Sequence, residues 1–549
     1  MDIIETLKMY EDQGYLDKET IHGAIMESVK KYPDKDAVID FEGTYTYRQL
    51  DDYSNYLADY FIKEGLKKDD TVLLQLPNIR LYVAVLLGLL KAGIKPVLML
   101  PTHREKELES VGNTIHSKAY IGCVEFLGVD YVSMAYKLFK EGRLNVEKIF
   151  ADTTFTGDDG YEAEVLPGFG DKVIGTEYND YVNNYRDTAL YLLSGGTTNL
   201  PKLIPRIHEA YVYNARATCK VSDITDKSVY LAVLSTSHDY PLTSPGILGC
   251  LYSGGTIVLC HTAGFDEAFD MIERYKVTFT SIVPAIALIW AEVLDWYEAD
   301  FSSLERISLG AAKIDRKLAL KLIDKLDIKL HQAYGLGEGI TCYTSIDDPL
   351  DVILETQGKP VSKGDSVKIV DANGNELSPY EQGELLEKGP YTFMGYYGNE
   401  ALNENLFTED GYLHTGDKAY LDADGNVVIC GRVKEQINRA GENVSPVEVE
   451  TILRKHPDIK DAAVFGRSDE RLGERTTAMI ISDNPELTNT DIVQFFIKEG
   501  IAQYKIPDEI HFTEKFLYTN VGKVDKKNLR RFLEESEQDE QRRNKRETD

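Results

Sequence analysis

The window TVLLQLPNIRLYVAVLLGLLKAGIKPVLML, residues 71–100, restricts the fold more than any other stretch of the chain. It is apolar almost throughout, yet it holds Lys91, Gly93 and Lys95. A membrane span needs about 20 apolar residues in a row, and a charge inside it is costly. The window reads instead as a buried strand over 71–76, a helix over 78–93 stopped by Gly93, and a second buried strand over 95–100. Parallel neighbours require such a crossover, so this is the building unit of a parallel sheet. The pattern returns at Thr256–Cys260, 267–276 and Thr278–Val283. The expected fold class is α/β, with sheets covered by helices.

The chain has 549 residues, too many for one core, so two or more domains are expected. Beyond about residue 430 the texture changes. VSPVEVETILRKHPDIKDAAVFG reads as helix then strand, TTAMIIS as a strand, and NTDIVQFFIKEGI as an amphipathic helix, together a smaller α+β unit. The expected joint lies in GRVKEQINRAGEN, where Gly431 and Gly441 flank polar residues. The closing EESEQDEQRRNKRETD is a charged tail.

With 61 basic and 91 acidic side chains, the formal net charge is −30. Such a surface repels nucleic acid and anionic lipid, so neither is an expected partner. An anionic substrate would need a local basic pocket. The six cysteines (Cys123, Cys219, Cys250, Cys260, Cys342 and Cys430) form no Cys-x-x-Cys pair, which argues against zinc and disulfides. Free thiols, and an acidic N-terminal segment without a signal-peptide core, make the cytoplasm the expected location.

SGGTTNLPK, Ser194 to Lys202, is the densest chemistry in the chain. A P-loop needs a lysine followed by Ser or Thr, whereas Lys202 is followed by Leu203. The physics of anion binding survives that failure: glycines let backbone N–H groups turn inward, hydroxyls donate, and the lysine adds charge. A hydroxyl-rich surface loop has the same composition. In HQAYGLGEGITCYT an acidic Glu338 between glycines suits a Mg²⁺ ligand beside a nucleotide, or else a helix C-cap with a solvated carboxylate. GYLHTGD ends an expected strand at Asp417, a side chain able to take two ribose hydroxyls; a plain turn is the alternative. Arg432 stands at the presumed joint, and Lys523 follows a glycine in VGKVDKK.

Taken in order, SGGTTNLPK, YGLGEG, YLHTGD, GRVKEQI and NVGKVDKK resemble the adenylate-forming superfamily of acyl-CoA synthetases, peptide-synthetase adenylation domains and luciferases. The likeness covers nearly the whole chain. PKLIPR, HDYPLTSPG, ETQGKPVS, GPYTFMGYY and KEQINRAGE are similar, within it, to the stand-alone aryl-acid AMP ligases, such as the 2,3-dihydroxybenzoate–AMP ligases of siderophore pathways.

The resemblance implies a large multi-sheet N-terminal domain binding ATP and the acid (1–432), a mobile α+β lid (433–535) and a tail (536–549). It implies that a carboxylate attacks the α-phosphate of MgATP to give acyl-AMP and pyrophosphate. A thiol then takes the acyl group, usually phosphopantetheine on a carrier protein, as in non-ribosomal peptide synthesis and other secondary metabolism. By motif, Ser194, Gly195, Gly196, Thr197, Thr198 and Lys202 would hold the outer phosphates and Glu338 the Mg²⁺. Gly310, Ala311, Tyr334 and Gly335 would lie at the nucleotide, with Asp417 and Arg432 on the ribose. Lys523 would steady the charge that builds on the acid and α-phosphate. Lys434 would be the hinge about which the lid turns, opening a thiol channel near Gly441. Two departures stand out: Asn199 where a glycine is usual, which αL-tolerant Asn accommodates, and Ala440 beside Gly441.

The resemblance puts His238, Asp239, Tyr240 and Ser244 at the acyl pocket. Aryl-acid ligases usually carry Asn where this chain has Asp239, while amino-acid-activating relatives use Asp there to grip an amino group. A buried carboxylate without a partner costs several kcal/mol, and the substrate's own carboxylate repels it. A substrate donor between the two would resolve this. The expected acids are anthranilate or hydroxyanthranilate, then salicylate or 2,3-dihydroxybenzoate, then an amino acid. The alternative is an ordinary hydroxybenzoate, with Asp239 bonded as the usual Asn is. An aryl-CoA ligase and a catalytically silent nucleotide-binding protein remain as rival functions. No carrier segment is recognisable in the chain, so a carrier is expected to act in trans.

Overall fold

The 71–100 window folds as strand Thr71–Gln75, helix Arg80–Lys91 and strand Lys95–Leu98, and its two strands lie side by side and parallel. In the computed structural model the described residues are 3–170, 172–178, 184–194, 201–311, 314, 316–433, 436–516 and 524–535. The window's helix is buried from Tyr82 to Lys91, which explains why it is apolar all round. Lys91 survives there because its Nζ donates to Asp51 Oδ1 at 2.5 Å, Ser54 Oγ at 2.7 Å and Asn55 Oδ1 at 2.7 Å. Removing the cation strands the part-buried Asp51 carboxylate and the buried Ser54 and Asn55 acceptors. Lys91→Ala is expected to destabilise the protein by about 3–5 kcal/mol, read as a lower urea midpoint.

The strand belongs to a seven-stranded sheet in the order Glu164–Val165, Lys148–Ala151, Ala119–Gly122, Thr71–Gln75, Lys95–Leu98, Thr188–Ser194, Lys202–Ile207. Every pairing is parallel except the last, which is antiparallel and sets Ser194 opposite Lys202. A nine-stranded sheet runs Lys359–Pro360, Thr341–Tyr343, Lys329–Gly335, Arg306–Leu309, Phe279–Ile282, Val229–Ala232, Thr256–Leu259, Asp36–Asp40, Gly43–Thr46. Its central pairings are parallel and its edges antiparallel. Alternate residues enter different cores. Val72 and Leu74 share one with Tyr230 and Ile257 of the other sheet, while Leu73 faces a second core and Leu231 and Val258 a third. Both faces of each sheet are thus buried, and this accounts for the unbroken apolar strands.

A four-stranded antiparallel sheet follows: Ser366–Val370, Gly383–Lys388, Leu413–Leu421, Val427–Arg432. Here one expectation is corrected. Asp417 does not end a strand but lies inside Leu413–Leu421, a strand with neighbours on both sides, and is itself paired with Arg432. The turn-like Thr-Gly-Asp reflects a local irregularity: Gly416 has φ 70°, and the register shifts between Lys418 and Ala419. Glycine adopts that φ at no steric cost.

The larger unit ends at Val433. The smaller contains helix Pro446–Leu453, the long antiparallel pair Ile459–Asp469 and Gly473–Ser482, helix Asn489–Lys498 and strand Glu509–Phe512 beside Gly473–Ser482. Its buried ion pair, Lys505 Nζ to Glu448 Oε1 at 2.9 Å, ties the 3₁₀ turn Gln503–Lys505 to the first helix.

Candidate active site

Asp417 and Arg432 face each other across adjacent antiparallel strands. Arg432 Nε lies 2.8 Å from Asp417 Oδ1, and the Tyr334 hydroxyl donates to Oδ2 at 2.8 Å. The carboxylate is buried, and burial raises its pKa against the opposing pull of Arg432's charge and Tyr334's hydroxyl. Among the described residues each oxygen has one donor, which leaves acceptor capacity suited to a vicinal diol. Tyr334 ends the strand Lys329–Gly335, so the aromatic assigned to the nucleotide reaches this cluster through its hydroxyl.

Glu338 sits in the turn between strand Lys329–Gly335 and its antiparallel partner Thr341–Tyr343, a hairpin rather than a helix end. Residues 387–397 clasp this turn from one side. The Ile340 N–H donates to Glu387 Oε1 at 3.0 Å, the Thr341 N–H to the Tyr391 hydroxyl at 3.0 Å, and the Phe393 N–H to the Glu338 carbonyl at 2.8 Å. The Tyr396 hydroxyl donates to Glu338 Oε1 at 2.8 Å. The Glu387 carboxyl fills the space where residue 339 would carry a side chain: an added Cβ there would lie 1.3 Å from Oε1, so any side chain would have to displace that carboxyl. Burial raises the pKa of Glu387 well above the usual carboxylate range, and that of Asp365, which accepts from Tyr391, to about 8.

The same segment reaches the antiparallel pair Thr188–Ser194 and Lys202–Ile207. The Tyr397 N–H donates to the Leu203 carbonyl at 3.0 Å, and Lys202 Nζ lies 4.7 Å from the Tyr396 ring centre, a cation–π contact. Tyr396 thus touches both the acidic and the basic residue picked out by motif. Arg206, buried in strand Lys202–Ile207, donates to the Gly337 carbonyl at 2.7 Å and stands over the Tyr211 ring at 5.1 Å. Gly195, Gly196, Thr197, Thr198, Lys434 and Lys523 lie outside the described residues.

Glu338 Oε1 takes the Tyr396 hydroxyl, and Oε2 has no hydrogen bond among the described residues. Those residues contain no cluster of three or more His, Cys, Asp or Glu able to hold a metal. One carboxylate completed by phosphate oxygens and water is the donor set that Mg²⁺ favours, so the residues fit it.

Among the residues that the resemblance assigns to the acid, Asp239 and Tyr240 open the short helix Asp239–Thr243, and exposed His238 caps it, its Nδ1 accepting from the Tyr240 N–H at 3.2 Å. The Tyr240 hydroxyl pairs with Ser308 Oγ at 2.7 Å. Its ring packs on Gly310, where an added Cβ would lie 2.8 Å from Tyr240 Cζ. The next residue, Ala311, holds φ 66°, a left-handed backbone rare for alanine. Ser244 is buried, and its carbonyl accepts from the Tyr343 hydroxyl at 2.5 Å. Of the two readings of Asp239, a carboxylate awaiting a substrate donor or one bonded within the protein as the usual Asn is, the structure shows a protein bond. Asp239 is half-buried, and its Oδ1 accepts from the Tyr211 hydroxyl at 2.6 Å and more distantly from Thr243 Oγ1 at 3.4 Å. The protein itself supplies a donor.

Tyr211, Tyr396 and Glu387 were not singled out from the sequence. GPYTFMGYY holds Tyr396, but only its contacts reveal its place beside Glu338.

The model of the AMP-binding enzyme family matches residues 25–397, and that of the AMP-binding enzyme C-terminal domain matches residues 448–523. A 2,3-dihydroxybenzoate-AMP ligase of Bacillus subtilis (strain 168) is 38% identical over 531 residues, covering 97% of this chain and 97% of the relative. The salicyl-AMP ligase / salicyl-S-ArCP synthetase of Mycobacterium tuberculosis is 34% identical over 534 residues, covering 95% and 92%. Among solved structures, apo MbtA of Mycobacterium smegmatis superposes with a TM-score of 0.72 at 33% identity, covering 96% of this chain and 98% of that one.

Proposed function

The chain belongs to the AMP-binding enzyme family, and on that premise we propose that it joins an aryl carboxylic acid to AMP and passes the acyl group to a thiol. The observation that carries this is end-to-end similarity to a ligase of this kind at 38% identity. The acid is a benzoate with an ortho-amino or ortho-hydroxy group. The acceptor is the phosphopantetheine thiol of a separate carrier protein, and the acid's destination is a siderophore or another non-ribosomal product.

A carboxylate oxygen of the acid forms a bond to the α-phosphorus of ATP as the bond to pyrophosphate breaks. Asp417 accepts the ribose hydroxyls, with Arg432 and Tyr334 holding its two oxygens in place. Lys202 and the SGGTT loop donate to the departing phosphates. Magnesium, when bound at Glu338, supplies Lewis-acid screening of the phosphate charge. Tyr396 keeps the Glu338 carboxylate in one orientation. Lys523 steadies the pentavalent α-phosphate.

Tyr396→Phe removes the hydroxyl and keeps the ring under Lys202. It is expected to raise the magnesium concentration for half-maximal adenylation by about three- to tenfold. The KM for the acid should stay within about twofold. A magnesium titration of initial rates checks this.

Acid-dependent ATP–pyrophosphate exchange tests the reading. Ortho-substituted benzoates should drive exchange where fatty acids do not. ATP binding without exchange on any aryl acid would contradict it. CoA compared with a phosphopantetheinylated carrier then identifies the acceptor.

A further inference from the structure

We propose that Tyr211 sets the polarity of the acid pocket by dictating which atom of residue 239 meets the substrate; this rests on the aryl-acid reading above.

Tyr211 lies in helix His208–Val221, on a different element from Asp239, and its side chain is wholly buried. Its hydroxyl donates to Asp239 Oδ1 at 2.6 Å, and Thr243 Oγ1 approaches the same oxygen at 3.4 Å. Among the described residues, Oδ2 has no hydrogen-bond partner and Asp239 has no ion pair. The two oxygens of one carboxylate are therefore unequal: one is held by the scaffold, and the other has no donor among the described residues.

The phenol is kept protonated, because burial and the charge of Asp239 push its pKa well above the ordinary value. Arg206, 5.1 Å from the ring centre, opposes that shift without cancelling it. Tyr211 can swing neither out to solvent nor into its anionic form, so Asp239 meets a fixed donor.

The consequence follows from what each side chain can offer. An ionised carboxylate only accepts, so an open Oδ2 requires a donor on the ligand. An asparagine at 239 would turn its carbonyl oxygen to the Tyr211 O–H, leaving the NH₂ open. That pocket would require an acceptor. With Tyr211 in place, exchanging one atom at residue 239 inverts the demanded polarity. Without Tyr211 an amide could flip and satisfy either. The substrate class assigned is an aryl acid with an N–H or O–H donor facing Oδ2. Amino acids of this kind are favoured over hydroxy acids, since an aniline offers two donors and no anionic state.

The test compares each of the three aminobenzoates with the fluorobenzoate of the same substitution position, a probe with no donor. The readout is the ratio of their kcat/KM values in pyrophosphate exchange. A ratio within one enzyme is independent of how much of that enzyme is folded. The native protein should favour the amino acid over its fluoro counterpart by about ten- to hundredfold at one position. D239N should reverse the order at that position. The double variant Y211F/D239N should bring the ratio back to within about threefold of one, because the amide is free to turn.

Two results would overturn the inference. If D239N leaves the ratio unchanged while exchange persists, residue 239 does not face the acid, and the adenylation reading still stands. If D239N inverts the ratio and adding Y211F changes nothing, Tyr211 is not the determinant. Absence of exchange with every benzoate in the native protein removes the aryl-acid reading and this inference with it.

Discussion

Lys523→Ala is expected to lower the rate of acyl-AMP formation by a factor of about 10³ or more, while transfer from pre-made acyl-AMP to a thiol stays within about threefold of native. The first half-reaction builds charge on the attacking carboxylate and the α-phosphate, and a fixed cation stabilises that charge more in the transition state than in the ground state. The second expels AMP from an acyl group and develops its charge elsewhere. One lysine therefore serves one step. Single-turnover measurements of both half-reactions check this. Equal loss in both would mean that Lys523 is structural or that its role is assigned wrongly.

Asp417→Ala is expected to have the next largest effect. It removes the acceptor for the ribose and leaves the Arg432 guanidinium and the Tyr334 hydroxyl without their shared partner. Breaking such a partly buried charged pair typically costs about 3 kcal/mol or more. A loss of about 10²–10³ in kcat/KM for ATP follows, with the KM for the acid nearly unchanged. Asp417→Asn keeps acceptor capacity without the charge and should lose about tenfold less. Titration of ATP at saturating acid separates these outcomes. If both variants lose equally, the charge of Asp417, rather than its acceptor geometry, is what matters.

Much of the architecture was legible because burial is continuous. The 71–100 window has apolar residues where both faces of a sheet and every side of a helix are covered, and its one buried lysine is satisfied by neighbours on another helix. The line of Leu413–Leu421 was not legible at Asp417, because Gly416 in its left-handed conformation looks like a turn when pairing partners are unknown.

The site divides in the same way. Asp417, Arg432, Glu338 and Lys202 stand in short motifs whose chemistry is local. The residues that orient them are long-range: Tyr396 is 58 positions from Glu338, Glu387 is 47 from Ile340, and Tyr211 is 28 from Asp239. No periodicity or spacing encodes such contacts. The two readings of Asp239 stayed open for the same reason, since its donor stands on another helix.

These particulars make one claim central: the chain builds a mixed anhydride between AMP and an aryl acid. The most direct measurement is the mass of the small molecule that the enzyme retains after incubation with ATP, magnesium and an equimolar mixture of aryl, amino and fatty acids. The predicted result is a single dominant species with the mass of a donor-bearing benzoate plus AMP less one water. Retention of an α-aminoacyl or fatty acyl adenylate, or of no adenylate at all, would contradict it.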